Sequence, residues 1–426
     1  MNININDVVD NYKSDIINLA SELIKIPSEN AAPNGNEKEA QDYLEKWFKS
    51  NHISTDKFNL LDVKDIEKNE AYWPGRNYEN RPNLVAFIKG NGKGKSIIFS
   101  SHIDTVSRDP IPWNISTPFS GTIIGDKLYG RGAYDMKASL AATALVLKIL
   151  KDLKIELSGD VYFESVVDEE NAGANGTLAS RLKGYNADVA IVPEPTMMNI
   201  CPSTKGGQLF EILFKGLPGV CFGGEEIINP IYNMARIISS FEEKYVKAIN
   251  DIKELPELFE DEKNLRRIVI SKVKAGDLKL GGNIGVPSEA WFEIFIQVLP
   301  GYNEEMLHDE IQNFINLSIA ENNINQEFSP IIKKTSRFLY PAVSDSDHPI
   351  LKIIKHQFKE ITGKDGNVKG GDISGDMGIF TKYFNIPTVT FGPCGGNAHG
   401  KDEWVSINSL IDFTKIILAT TLEWCK

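Results

Sequence analysis

Cysteine is scarce in this chain. The four present, Cys201, Cys221, Cys394 and Cys425, are far apart and form no C-x-x-C pair. That excludes a disulfide-stapled scaffold and a cysteine-rich zinc module, and reduced thiols are expected. No stretch approaches the roughly 18 apolar residues of a membrane span. The opening segment MNININDVVDNYKSDIINLA carries Asp7, Asp10 and Asp15 where a signal peptide would be basic and then apolar, so a cytoplasmic protein is expected. Excess positive charge is also missing. Lys+Arg number 46 against 58 Asp+Glu, a net charge of −12, which argues against nucleic acid or an anionic membrane surface as a general partner. What remains is an ordinary globular composition, 42% hydrophobic and 24% charged over 426 residues, long enough for two domains.

Apolar periodicity organises the first half into alternating elements. Helical spacing runs from about Val8 to Ile26, again over Glu37–Phe48, and along the apolar stretch Met136–Leu150. Strands are expected at Asn83–Ile88, Ser96–Ser100, Asp160–Val167 and Asp188–Val192, and GTIIGDKLYGRG reads as a hairpin around Gly125 and Asp126. This alternation predicts an α/β fold with a mixed, mainly parallel sheet and helices on both faces. Past about Lys205 the texture changes. Strands at Gln208–Phe214, Ile268–Val273 and Trp291–Val298, with helices at Ile227–Phe241 and Glu304–Ile319, suggest a separate small α+β domain. From about Tyr340 the first pattern resumes with a Pro349–Thr362 helix, a glycine-rich loop at Gly370–Gly375 and a strand at Pro387–Phe391.

Histidine is rare too, six in all, yet two of them sit with acids at the ends of expected strands. His102 lies in SSHIDT, Asp135 in GRGAYDMK, Glu170 in VVDEENAG, Glu194 in IVPEPT and His399 in GNAHGKDEW. Strand ends on one edge of an α/β sheet converge, so residues this distant can share a pocket. Singly each has a bland reading: a surface His-x-Asp pair, an N-cap aspartate, a solvated acidic loop. Two imidazoles and three carboxylates without clustered cysteine suit a water-open, zinc-type hydrolytic site. Two divalent ions about 3.5–4 Å apart call for a shared carboxylate, flanking imidazoles or carboxylates and a bridging hydroxide. A further carboxylate beside them must move the proton, and the adjacent Glu169 and Glu170 fit that division, one to the metal and one to the water. Asp104, two residues after His102, is placed to orient its imidazole.

The segments SSHIDTV, FSGTIIGDKLYGRGAYDMK, VVDEENAGANGT, VPEPT, KGGDISGDM, IPTVTFGP and AHGKDEWVSI, in this order, resemble the dinuclear zinc amidohydrolase and exopeptidase family of acetylornithine deacetylase, succinyl-diaminopimelate desuccinylase, aminoacylase and glutamate carboxypeptidase. The resemblance implies that Asp135 bridges two metals, with His102 and Glu194 completing one site and Glu170 and His399 the other. Glu169 would be general base and acid, and Asp104 the orienter. It implies a zinc-exopeptidase-like catalytic domain, residues 1–206 and 339–426, interrupted by a ferredoxin-like lid over 207–338 through which many relatives dimerise. The expected activity is cleavage of an amide bond in a small N-acyl amino acid or related compound; a di- or tripeptide exopeptidase is the alternative. Zinc is the first choice of metal, with cobalt or manganese compatible with the same donors.

The match departs from the family at three places. Relatives carry a lid histidine that helps stabilise the oxyanion, and aligning Asn229 with the family asparagine puts Val220 at that position. The lid's one histidine, His308, falls in an expected helix. The loss of such a donor typically costs about 10²–10³ in kcat, so a metal-binding scaffold with impaired turnover is the non-enzymatic alternative. Gln297 stands where relatives have an arginine before the L-P-G turn, and the loop from Gly370 to Met377 has no arginine. Such arginines would suit a substrate carboxylate through a bidentate contact, so their absence implies either altered substrate recognition or impaired catalysis. Asn283 and Gly371 are candidate substrate contacts, as is Lys205-Gly206-Gly207, with a plain turn the commoner reading of Asn283 and of the Lys205 segment.

Overall fold

In the computed structural model the described residues are 4–108, 110–173, 175–220, 224, 226–252, 254–260, 265–276 and 285–426. They form two compact units, Met1–Thr204 with Ala342–Lys426, and Lys205–Pro341. No helix among them is long and apolar enough to cross a membrane. Cys201, Cys394 and Cys425 are free thiols; Cys221 lies outside the described residues.

The first unit is built on a nine-stranded sheet. Its centre is parallel: Ile97–His102 lies between Val161–Val166 and Val189–Val192, and the last of these pairs in parallel with Thr388–Thr390. Antiparallel strands flank the centre, Pro82–Ile88 and Ser54–Asn59 on one side and Ile200–Thr204 on the other. The sheet is thus mixed, with its parallel pairs concentrated where the site residues leave it. The central strands are buried almost throughout and mostly apolar, as a sheet covered on both faces requires. Ile97, Phe99, Phe163, Val189 and Ile191 face a layer containing the helices Lys13–Lys25, Ala138–Asp152 and Ile407–Trp424. Ile98, Ala190 and Val192 point the other way, against Phe380 and Ile386.

Two local readings change. The first apolar stretch is two helices, Ile5–Asn11 and Lys13–Lys25, broken at Tyr12, whose hydroxyl donates to Asp152 Oδ2 at 2.9 Å. The start of the expected glycine loop is a strand, Val368–Gly371, paired in parallel with Ile200–Thr204.

The second unit is a four-stranded antiparallel sheet in the order 268–275, 289–298, 206–215, 331–334. Helices Pro230–Ser240 and Glu304–Glu321 complete a βαββαβ chain order. Phe210, Ile212, Phe214, Phe292, Ile294 and Ile296 alternate inward and bury against Met234, Ile237, Leu307 and Ile311. Gly206 and Gly207 open the first strand where packing leaves no room for a side chain: a Cβ on Gly206 would lie 2.2 Å from the Leu339 carbonyl oxygen. That accounts for these glycines without a ligand. Gln297 is buried, and its amide oxygen accepts from the Arg267 N–H at 3.2 Å. Val220 is 45% exposed. His308 lies in the Glu304–Glu321 helix, as expected. Asn283 lies outside the described residues.

Candidate metal centre

Parallel strands deliver their carboxyl ends to one edge, and the sequence places chemistry there each time. His102 ends its strand, Asp104 follows two residues later, Glu169 and Glu170 follow Val161–Val166, and Glu194 follows Val189–Val192. Asp135 comes from the segment ahead of the Ala138–Asp152 helix, and His399 from the loop before the short strand Trp404–Ser406.

All five expected metal donors meet. His102 Nε2 lies 3.0 Å from Asp135 Oδ1 and 3.7 Å from Glu194 Oε1. On the other side of the same aspartate, His399 Nε2 lies 3.2 Å from Oδ2, and 2.9 Å from Glu170 Oε2. Each oxygen of Asp135 thus faces one imidazole. Among the described residues, two sets of ligand atoms lie close enough to hold an ion, His102–Asp135–Glu170 and His102–Glu169–Glu194. Glu169 therefore also presents an oxygen inside a donor group.

The tautomer of His102 follows from its neighbours. Nδ1 lies 2.9 Å from the Asp104 carbonyl oxygen, which can only accept, so Nδ1 carries the hydrogen. Nε2 faces two carboxylates, an arrangement that needs a positive species, a proton or a metal ion, between them. Protein charges alone attract protons there. The charge of Glu170 chiefly lifts the His399 imidazole, to about 12. Burial opposes charge on His102, yet Glu194, Asp135 and Glu169 together hold it well above its ordinary value. Burial pushes the Glu169 and Glu194 carboxyls well above the usual carboxylate range, reinforced by like charges and opposed by His102. Burial would raise Asp135 as well, but hydrogen bonds from both imidazoles carry it far below. Four carboxylates around two imidazoles carry the negative charge that two divalent ions neutralise, and the imidazole–carboxylate donor set suits such ions.

Asp104 acts on the site differently from the reading of the sequence. Its side chain stands 3.7 Å from His102 Nδ1, and the closer contact is its own carbonyl. Its carboxylate accepts from the N–H groups of Glu169 (3.2 Å) and Glu170 (3.0 Å) and from Asn30 Nδ2 (2.7 Å). It therefore fixes the turn carrying both glutamates. Gly371 is buried at the end of its strand against Thr204 and Cys201. The glycine that reaches the site is Gly375, where a Cβ would sit 2.7 Å from Glu169 Oε1.

Behind the glutamates, Asp168 has φ +70° and is fully buried. It pairs with Arg76 and Arg81 and accepts from the Tyr78 hydroxyl at 2.7 Å. Burial alone would raise its pKa, but these donors hold it below the ordinary value. A depressed carboxyl stabilises the fold above its unfolded pKa of about 3.9, and that stabilisation is lost as pH falls through the folded value. Asp168→Asn is expected to cost about 3 kcal/mol at pH 7, the low end for a broken buried pair because Arg81 keeps Glu37. Urea denaturation should show the gap between variant and parent closing below about pH 4; a gap independent of pH would refute this account of Asp168.

An α/β unit with its sheet covered on both faces, and with paired imidazoles and carboxylates at the carboxyl edge of its parallel strands, has the architecture of the metal-dependent hydrolases. Within that class the chain belongs to Peptidase family M20/M25/M40, whose model matches residues 98–423. It is 26% identical over 442 residues to N-formyl-4-amino-5-aminomethyl-2-methylpyrimidine deformylase of Bacillus subtilis (strain 168), covering 98% of this chain and 96% of that protein. It is also 26% identical to a probable succinyl-diaminopimelate desuccinylase of Staphylococcus aureus (strain MRSA252), covering 96% and 97%. Among solved structures, the dipeptidase Dug1p of Saccharomyces cerevisiae superposes with a TM-score of 0.77 at 14% identity, covering 99% of this chain and 98% of that one. The chain is a metallohydrolase of amide bonds.

Proposed function

We propose that this hydrolase removes a small acyl group from an amine whose recognised part carries no carboxylate, with a formamide as the leading candidate. The observation carrying the metal-dependent part is Nε2 of His102 facing both Asp135 and Glu194. His102, Asp135 and Glu194 would hold one divalent ion, and Asp135, Glu170 and His399 the other. When bound, such ions polarise a carbonyl and lower the pKa of water.

The chain's own residues supply the rest. Glu169, raised by burial, takes a proton at its carboxylate from the attacking water and hands it to the departing amine nitrogen. Asp104 holds the Glu169 and Glu170 backbones so that one side chain serves the proton and its neighbour the ion. Gly375 leaves the space beside Glu169 that a side chain would fill. The substrate class is supported by Gln297, whose amide oxygen is engaged by the Arg267 backbone, by the arginine-free loop from Gly370 to Met377, and by the relative named for removing a formyl group from an aminopyrimidine.

The test is a panel of N-formyl amines, N-acetyl amino acids and dipeptides, offered to zinc- or cobalt-loaded protein with a chelated control. Formamides are expected to be cleaved at least tenfold faster in kcat/KM, and chelation to abolish the activity. Preference for acylated amino acids or free dipeptides would overturn the substrate class while keeping the reaction. Zinc as the physiological metal and a homodimer through the inserted domain belong to the same proposal, checked by metal analysis of the purified protein and by light scattering.

A further inference from the structure

Arg131 and Glu403 are both about 1% exposed and form an ion pair of 2.8 Å. Each also reaches across to the chain segment that carries the other. Glu403 Oε2 accepts from the Gly132 N–H at 3.1 Å, and Oε1 accepts from Tyr134 at 2.9 Å and from Asp135 itself at 3.1 Å. Three N–H donors of one short turn thus converge on a carboxylate contributed from about 270 residues away. In return, Arg131 donates to the carbonyl oxygens of Gly400 at 3.1 Å and His399 at 3.2 Å. The two segments are also joined by antiparallel pairing of Tyr129 with Trp404 and Leu128 with Val405.

His399 needs such support. Its φ is +61°, a left-handed conformation that a side-chain-bearing residue keeps when its surroundings impose it. Its imidazole is the most exposed of the donors, at 53%. His102, by contrast, is fixed from within its own strand and by the Asp104 carbonyl. One side of the centre is therefore rigid by sheet structure, and the other depends on a cross-chain tie.

We propose that Arg131 and Glu403 are a positioning pair that fixes the spacing of Asp135 and His399, and thereby sets the affinity for the ion held on the His399 side. This rests on the two-ion reading above. Neither residue touches the reacting atoms; both act through the backbone of the ligands. Charge alone does not perform this role, because bridging a carboxylate and two carbonyls requires the planar fork of a guanidinium.

Arg131→Lys and Glu403→Gln distinguish this from general support of the fold. The lysine variant keeps the buried charge paired while losing the fork, which protects against simple failure to fold. Apo protein would be titrated calorimetrically with Zn²⁺, and with Co²⁺ followed by visible absorption. The parent is expected to bind two ions. Arg131→Lys should bind the first within threefold of the parent and the second about 10–100-fold more weakly, the usual effect of removing a ligand's hydrogen-bonding partner, with the apo melting temperature little changed. Glu403→Gln should repeat the pattern in metal affinity, with a lower apo melting temperature because it leaves the Arg131 charge buried without its partner. Two ions bound as in the parent would overturn the proposal, as would equal weakening of both ions with a lowered apo melting temperature. If the parent itself bound a single ion, the two-ion reading would fail first and this proposal with it.

Discussion

Glu169→Gln should lower kcat by about 10⁴-fold, the upper end of what a general acid–base group contributes, with metal content unchanged. Glutamine keeps the shape of the side chain beside Gly375 but has no basic oxygen to take a proton. The prediction is sharp because Glu169 also stands among the possible donors, near His102 and Glu194. Removing a ligand and removing a proton carrier give different results. Metal analysis of the variant decides: two ions with no turnover assign Glu169 to the proton, whereas loss of an ion would mean that Glu169 and Glu170 have exchanged parts. Glu170→Gln is the matched control, and it should lose the ion on the His399 side, where its Oε2 lies 2.9 Å from the imidazole.

Asp135→Asn is expected to be equally damaging by another route. Asp135 is the one residue with an oxygen toward each imidazole, Oδ1 toward His102 and Oδ2 toward His399. An amide nitrogen at either position cannot replace a carboxylate oxygen there. Affinity for both ions should fall by more than the roughly 10–100-fold that follows loss of a ligand's hydrogen-bonding partner, and activity at ordinary metal concentrations should vanish. Raising the metal concentration should recover part of it. Retention of two tightly bound ions would contradict the shared-carboxylate assignment.

The five metal-type donors were legible because each follows an apolar run or a glycine turn, and strand ends converge in an α/β sheet. The Pro349–Thr362 helix could be read to the residue, since proline starts it and Gly363 at φ +70° ends it. The flanks of the sheet could not. Ser54–Asn59 is STDKFN and Ile200–Thr204 is ICPST, polar or proline-containing segments that become strands because a neighbour offers hydrogen bonds. The support of the site was equally hidden. Asn30 reaches Asp104 and Asp168 from 74 and 138 residues away, and nothing local in NAAP or DEW announces such partners. The role of Asp104 was half legible: its spacing pointed to His102, while the carboxylate serves the glutamate turn.

The order of strands has a consequence for how the protein is made. Thr388–Thr390 lies between Val189–Val192 and Ile200–Thr204, so a strand synthesised after the inserted unit is wedged between two synthesised before it. Until that strand and the segment after it have left the ribosome, the sheet has a gap there and His399 is absent from the site. The inserted unit, a continuous segment with its own core, can fold in the meantime, as domains generally do during synthesis. The nascent chain therefore carries a finished domain on an unfinished one, and a prematurely terminated product would be catalytically silent.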